Sequence, residues 1–387
     1  MTPGARVLAA IEVLDLIAAG TVAEKALIGW ARRSRFAGSG DRAAVRDHVF
    51  QALRCWRSYA VLGGAETGRA RMIGALRAAG DDPAALFTGE GYAPAPLSAD
   101  ERAAGAQPTG ADACDMPDWL LAEFHASLGP SAEQTVMALR ERAPVMLRVN
   151  RRKADVTGAI DALAHERIIS ASHPVAETAL TVSEGARRVA QSRAYHDGLV
   201  ELQDGSSQAA MDGIDLSGAK TILDYCAGGG GKALALAARS DARIFAHDID
   251  PGRMQDLPER AARAGVRIEP LNTLPSPDKH LFDIVLCDAP CSGSGTWRRT
   301  PEAKWSLTPA RLSELTEIQA QILTEAAPLV APGGQLIYAT CSVLAAENEA
   351  QIDAFLAATP GWVRRKTHRF DVTDGGDGFF VAHLGRD

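Results

Sequence analysis

"ILDYCAGGGGKALALAA", Ile222 to Ala238, is the stretch on which the fold turns. A short apolar run gives way to four consecutive glycines, and a lysine then opens an alanine- and leucine-rich segment. That order predicts strand, loop and helix. Glycine lets the backbone come close to a ligand, and the first turn of a helix leaves N–H groups without internal partners. The stretch is not a P-loop. That pattern requires Gly at 226 and Ser or Thr at 233, where this chain has Cys226 and Ala233. It does fit G-x-G-x-x-[GA] from Gly228 to Ala233, and Asp248 ends the next strand-like run. An acid there can accept hydrogen bonds from the ribose of a dinucleotide or of S-adenosylmethionine. The loop by itself leaves oxidoreductase and methyltransferase both open.

On either side of the loop the pattern repeats. "TILDYC", "RIFAHDI", "VRIEPL", "FDIVLCD", "GQLIYATC" and "GFFVAHLG" read as strands, with helical segments between most of them. Such alternation predicts an α/β, doubly wound and mostly parallel sheet with ligands at its C-terminal edge. This catalytic domain is expected over residues 196–387. Residues 144–195 hold strand-like "PVMLRVN" and "TALTVS" around the helix "DVTGAIDALAHE", a small α/β subdomain. Residues 1–143 carry apolar positions three and four apart and predict an all-α domain, with Asp41 as N-cap of its third helix.

The 387 residues are 46% hydrophobic and 23% charged, as in globular proteins with proper cores. No apolar run approaches bilayer-spanning length, so a cytoplasmic protein without membrane attachment is expected. Six scattered cysteines do not make a disulfide framework or a metal-ligand pattern, and no metal is expected. The net charge of −7 would argue against a nucleic-acid partner, but binding depends on local patches. Residues 1–60 carry nine Lys/Arg against five Asp/Glu, and "RVNRRK", "WRRTPEAK" and "RRKTHR" are further basic clusters. Together they predict contact with phosphates.

Two cysteines sit just past strand ends: Cys291 after "FDIVLCDAP" and Cys341 after "GQLIYAT". Buried core thiols are the ordinary reading of such residues, yet both lie in polar, turn-rich sequence at the rim that carries the glycine loop. One chemistry needs this arrangement. Carbon 5 of cytosine is a poor nucleophile until a thiolate adds to carbon 6 and converts the ring to an enamine. An acid then supports ring nitrogen 3, and a base removes the carbon 5 proton so that the thiolate can leave. Cys341, Asp288 and Cys291 can converge for these tasks.

Nearly end to end, the chain resembles the bacterial RNA (cytosine-5)-methyltransferases, the RsmB/Sun-like ribosomal RNA enzymes with an N-terminal domain like the NusB antitermination factor. "RVNRRK", "GLVELQDGSSQ", "LDYCAGGGGK", "FDIVLCDAPCSGSGTWRRTPEAKW", "IYATCSVLAAENEAQI" and "GFFVAHL" carry the resemblance. It implies a Rossmann-like domain that uses S-adenosylmethionine to methylate carbon 5 of cytosine in RNA, with small-subunit (16S) ribosomal RNA as the expected substrate. On the same basis Cys341 is the nucleophile, Cys291 assists product release and Asp288 contacts cytosine nitrogen 3. Lys232 organises the polar centre. The cofactor contacts would be Cys226, Ala227, Gly228, Gly229, Gly230, Gly231, Lys232, Asp248, Asn272 and Asp288. Arg148, Arg151, Arg152, Arg298, Arg299 and Lys304 would meet RNA. The family's loop reads Cys-Ala-Ala-Pro-Gly-Gly-Lys, so Gly228 and Gly229 are departures, as is Asn272 in place of an acid. A monomer is expected. A nicotinamide-dependent oxidoreductase and a non-catalytic RNA-binding protein are the rival readings; neither explains two thiols on the rim.

Overall fold

Helices open the chain because apolar residues recur there at helical spacing. In the computed structural model, which describes residues 1–278 and 280–386, the first helix is Pro3–Ala18, capped by the Thr2 hydroxyl on the Ala5 N–H at 3.2 Å. Its Val7, Ile11 and Leu14 pack against Trp30 of helix Ala23–Arg33 and against Val45, Val49 and Leu53 of helix Ser39–Arg54. Asp41 is not the N-cap of that third helix: it stands at the third helical position and its carboxylate reaches back to the Gly38 N–H. Helices Trp56–Gly63, Gly68–Ala79, Asp118–Leu128 and Ala132–Ala138 belong to the same unit, Met1–Arg142 together with Trp297–Ser306. Among the described residues this unit contains no strand.

The second unit, Ala143–Thr296 with Leu307–Asp387, holds two sheets. The smaller is antiparallel, in the order β2-β3-β1-β4: β1 Val145–Val149, β2 Ile169–Ser172, β3 Ala179–Glu184 and β4 Val200–Leu202. Asp155 caps its helix Val156–His165 through the Gly158 N–H at 2.7 Å. The larger sheet contains β5 Thr221–Asp224, β6 Arg243–His247, β7 Ile268–Leu271, β8 Phe282–Asp288, β9 Val330–Thr340, β10 Trp362–Phe370 and β11 Phe379–Arg386. Its order is β10-β11-β9-β8-β5-β6-β7. β5 to β9 run parallel, and β11 and β10 are antiparallel additions at one edge.

Side chains alternate between the two faces of this sheet, as the strand period demands. Ile222, Ile284, Leu286, Ile337 and Ala339 meet helices Gly205–Asp212, Gly231–Arg239 and Leu257–Ala264. Leu223, Val285, Cys287, Leu336 and Tyr338 meet helices Pro309–Ala326 and Glu349–Ala358. Thr308 caps the first of these latter two on the Arg311 N–H at 3.1 Å, with Pro309 as its first residue. The strand order reverses between β5 and β8, so the connections that leave these two neighbours run to opposite faces. That opens a crevice at the C-terminal strand ends.

Candidate active site

The glycine loop forms at this crevice. Its backbone is tied down by Tyr225 N–H on Leu286 O and Ala227 N–H on His247 O, each at 2.8 Å. Gly230 caps helix Gly231–Arg239 in the left-handed region (φ +79°), and a Cβ there would lie 2.2 Å from Leu257 Cδ1, so any other residue would be strained and would displace Leu257. Gly228 is also left-handed (φ +50°) and donates its N–H to Asp248 Oδ2 at 2.9 Å.

Beside the loop lies a cavity of about 540 Å³, within the range of small-molecule sites. Cys226, Ala227, Gly228, Gly229, Gly231, Lys232, Asp288, Cys291 and Cys341 line it. Gly230 and Asp248 stand behind the wall. Asp248 is 2% exposed, and besides the loop it holds the Asp250 N–H at 3.0 Å and the Arg253 guanidinium at 3.2 Å. Asn272 takes no part in the wall, because it follows the end of β7 in an exposed turn. Arg253 and Arg260 do line it, which no motif announced. Arg260 donates to the Gly229 carbonyl and pairs with Glu201 at 3.4 Å. A Cβ on Gly229 would come 2.8 Å from the Arg260 guanidinium, so the departures at Gly228 and Gly229 leave room for arginines pressed on the loop.

Lys232 is the first side chain of the loop's helix, and its ammonium is hydrogen-bonded to Asp288 at the end of β8. Burial pulls its pKa down, but Asp288, with Cys341 behind it, outweighs that effect and the net direction is up. Lys232 is therefore a fixed positive charge at the floor of the cavity. Behind it Asp224 is 1% exposed, with Oδ2 on the Ala233 N–H at 3.1 Å and Oδ1 without a partner. Burial, then repulsion by Asp288, pushes its pKa up to about 7.

The two rim thiols meet: Cys291 Sγ and Cys341 Sγ are 3.4 Å apart. The Cys291 thiol is pushed well above the usual range, first by its hydrogen bond to Cys341 and then by burial. Cys291 therefore keeps its proton beside the Cys341 sulfur. Cys287, four residues earlier, is buried in the sheet, which is the ordinary fate of a strand cysteine. All six cysteines are free thiols, and no cluster suited to a metal ion occurs among the described residues.

Three of the expected RNA contacts, Arg148, Arg298 and Lys304, are buried, and these are corrections. Arg148, 6% exposed, donates to Gly231 O at 3.0 Å and to Gln203 at 2.5 Å, buttressing the glycine loop from β1. Arg152 donates to the carbonyls of Ala237 and Ser240 at 2.9 and 2.7 Å, capping the loop's helix at its negative end. Lys304, 1% exposed, donates to Arg54 O at 3.2 Å, and buried Arg298 gives its carbonyl to the Arg54 guanidinium at 2.7 and 2.8 Å. Arg299 is half-buried, and Arg151 is exposed and paired with Glu177. Trp297 stacks on Phe124 with ring centroids 5.8 Å apart, and Trp305 donates to Leu53 O at 2.7 Å. "WRRTPEAKW" is thus a strap packed into the helical unit.

Comparison with known proteins agrees with this geometry. Residues 213–384 match the family described as 16S rRNA methyltransferase RsmB/F, and residues 116–189 match the ferredoxin-like domain of RsmF/B-like methyltransferases. A Ribosomal RNA small subunit methyltransferase B of Salmonella arizonae is 33% identical over 282 residues, 69% of this chain and 66% of that protein. One of Xanthomonas campestris is 34% identical over 260 residues, 65% of this chain and 59% of that protein. The chain thus aligns with no more than about two thirds of the length of these relatives. Among solved structures, "Crystal Structure of PH0851" superposes with a TM-score of 0.77 at 23% identity, covering 100% of this chain and 99% of that one. NSun6 from Pyrococcus horikoshii with SFG gives 0.61 at 17%, covering 70% and 98%. These two establish likeness of fold. The segment matched to the RsmB/F model contains the glycine loop, the Lys232–Asp288 pair and both rim thiols, and on that match and the shared identity the chain belongs to the RsmB/F methyltransferase family.

Proposed function

We propose that this protein methylates carbon 5 of cytosine in RNA, with small-subunit ribosomal RNA as substrate and S-adenosylmethionine as methyl donor. The observation that carries this reading is the pair of sulfurs 3.4 Å apart on the rim of a cavity whose floor is the Lys232–Asp288 ion pair. The glycine loop fits a nucleoside cofactor: the space left at Gly228 and Gly229 forms a cradle that Cβ atoms would narrow, and Asp248 braces it from behind. Cys226 to Lys232, with Asp288, would hold that cofactor, whose sulfonium supplies an electrophilic methyl group.

The chain's own residues do the rest. Cys341 gives up its proton to solvent and bonds its sulfur to carbon 6, with the Lys232 ammonium nearby. Asp288 contacts ring nitrogen 3, and its hydrogen bond to Lys232 keeps a proton within reach of that atom. Once Cys341 is bonded to carbon 6, the hydrogen bond and charge that most raise the Cys291 thiol are gone, and Cys291, its proton passed to solvent, serves as the base. It then takes the proton from carbon 5, and the electrons of that C–H bond expel the Cys341 sulfur. Target bases inside structured RNA reach such a site by flipping. The helical unit, read as NusB-like, supplies RNA grip by shape and phosphate contact, and a cytoplasmic location follows from the substrate.

The test is incubation of the protein with S-adenosylmethionine and RNA containing 5-fluorocytosine, which cannot release its carbon 5 substituent as a proton. A covalent protein–RNA adduct is expected, and Cys341→Ala should lower its yield by a factor on the order of 10³ or more. With ordinary RNA, Cys291→Ala should accumulate the same adduct. An adduct that persists in Cys341→Ala rejects the assignment. Bisulfite sequencing of ribosomal RNA from a strain lacking the protein identifies the modified nucleotide.

A further inference from the structure

Glu347 has no part in the chemistry above, yet it is fully buried and its carboxylate accepts four hydrogen bonds. Oε1 takes the Ser292 N–H at 2.8 Å and the Gln319 side-chain amide at 3.0 Å. Oε2 takes the hydroxyls of Ser292 and Ser342, each at 2.5 Å. Ser292 follows Cys291 and Ser342 follows Cys341. Gln319 also reaches the carbonyl of Pro290, just before Cys291, at 3.0 Å. The neighbouring Asn348 accepts the Thr340 hydroxyl at 2.6 Å and donates to Ser342 O at 2.9 Å, so the second cysteine is also gripped from both sides. A buried carboxylate costs desolvation unless hydrogen bonds satisfy it. Here three of the four come from the residues that follow the two thiols.

We propose that Glu347 is a positioning residue whose carboxylate ties the loop after Cys291 to the loop after Cys341 and so holds the two sulfurs 3.4 Å apart. The spacing is a matter of geometry alone. Its consequence for turnover rests on the thiol chemistry proposed above. Glu347 touches neither sulfur by a hydrogen bond; it acts through Ser292 and Ser342.

The spacing can be read without RNA. The full chain is equilibrated with reduced and oxidised glutathione; Cys291 and Cys341 lose two protons and two electrons to form one disulfide while glutathione disulfide is reduced to two glutathione molecules. Mass spectrometry of the linked peptide gives the equilibrium constant, which reports the effective concentration of one thiol at the other. Glu347→Gln is expected to lower it about fivefold or more, Ser292→Ala to lower it by a smaller factor, and Glu66→Gln, at an exposed position, to leave it unchanged. In methyl transfer, Glu347→Gln should reduce kcat about tenfold with KM for S-adenosylmethionine within about twofold. Glu347→Asp should restore part of both losses. An unchanged glutathione equilibrium in folded Glu347→Gln overturns the proposal, and if that variant does not fold, an unchanged value in Ser292→Ala and Ser342→Ala overturns it. Absence of methyl transfer by the unmodified protein would instead reject the proposed activity and leave the glutathione result standing.

Discussion

Cys291 carries a proton that three neighbours keep in place: the Cys341 sulfur by hydrogen bond and charge, the surrounding protein by burial, and the Glu347 carboxylate by charge. The Tyr338 hydroxyl, buried and bonded to Glu347 O at 2.7 Å, stays neutral and adds no charge. A thiol pKa raised in this way keeps the neutral form over a pH range in which an ordinary cysteine ionises. Cys341→Ala removes the first and strongest of these influences. Alkylation of Cys291 by iodoacetamide should then reach its midpoint at lower pH than in the unmodified protein, and at pH 8 should run several-fold faster. Peptide mass mapping across a pH series checks this; a midpoint that stays in place would mean that burial and Glu347 hold the proton without Cys341. That Asp288, Cys291 and Cys341 share one cavity was legible in the sequence, because all three stand where apolar strands end. Glu347 was not. In "LAAENEAQI" a glutamate reads as a solvated residue at a helix start, and its partners Ser292 and Gln319 lie 55 and 28 residues away. Nor does sequence say which way a cation points. Arginine has donors enough to satisfy backbone carbonyls, as Arg148 does at Gly231 and Arg152 at Ala237 and Ser240.

At the scale of elements, periodicity revealed what is long or apolar and hid what is short or charged. The core strands of the large sheet and the helix after Thr308 emerge from pattern alone. β2, "ISAS", is four residues without alternation, and β10, "WVRRKTHRF", reads as a basic cluster. β10 is an edge strand, and charge on an edge deters pairing with another chain. The strap Trp297–Ser306 reads as a phosphate-binding tail for the same reason. Its Lys304 is buried near Asp115 and Cys55, and burial pushes its pKa down to about 8 against an ordinary 10.5. Between those values the unfolded chain binds the proton and the native protein does not, so the contribution of Lys304 to stability improves as pH rises through that window. Lys304→Met should lose this dependence. The melting temperature of the unmodified protein relative to the variant is expected to climb from pH 8 to pH 10.5, with a total effect on the order of 3 kcal/mol at most. A constant difference across the series would show that Lys304 is neutral or fully solvated in the folded state.

For the molecule as a whole, alternating segments foretold the parallel sheet, and with it the edge where the site lies. They could not foretell that the chain returns to its N-terminal helices after β8. The contacts that make this return, Arg54 to Arg298 and Leu53 to Trp305, join residues 244 and 252 positions apart. No local pattern encodes separations of that length. The strap carries Trp297 and Lys304 at 1% exposure, and their cover comes from residues before 143. A fragment beginning at Ala143 lacks that cover. Trypsin should cut it after Arg298, Arg299 or Lys304 at least about tenfold faster than it cuts the full chain, measured by time-resolved mass spectrometry. Equal rates would mean that the strap holds its shape unaided.

The same return sets an order of events during synthesis. Residues 1–142 leave the ribosome well before residues 297–306 have been made, although domains generally fold in the order in which they emerge. In the interval the carbonyls of Leu53 and Arg54 and the face of Phe124 have none of the partners that later cover them. The portion translated first is therefore finished late, and a nascent protein halted just short of Trp297 would carry an exposed seam for chaperones to find.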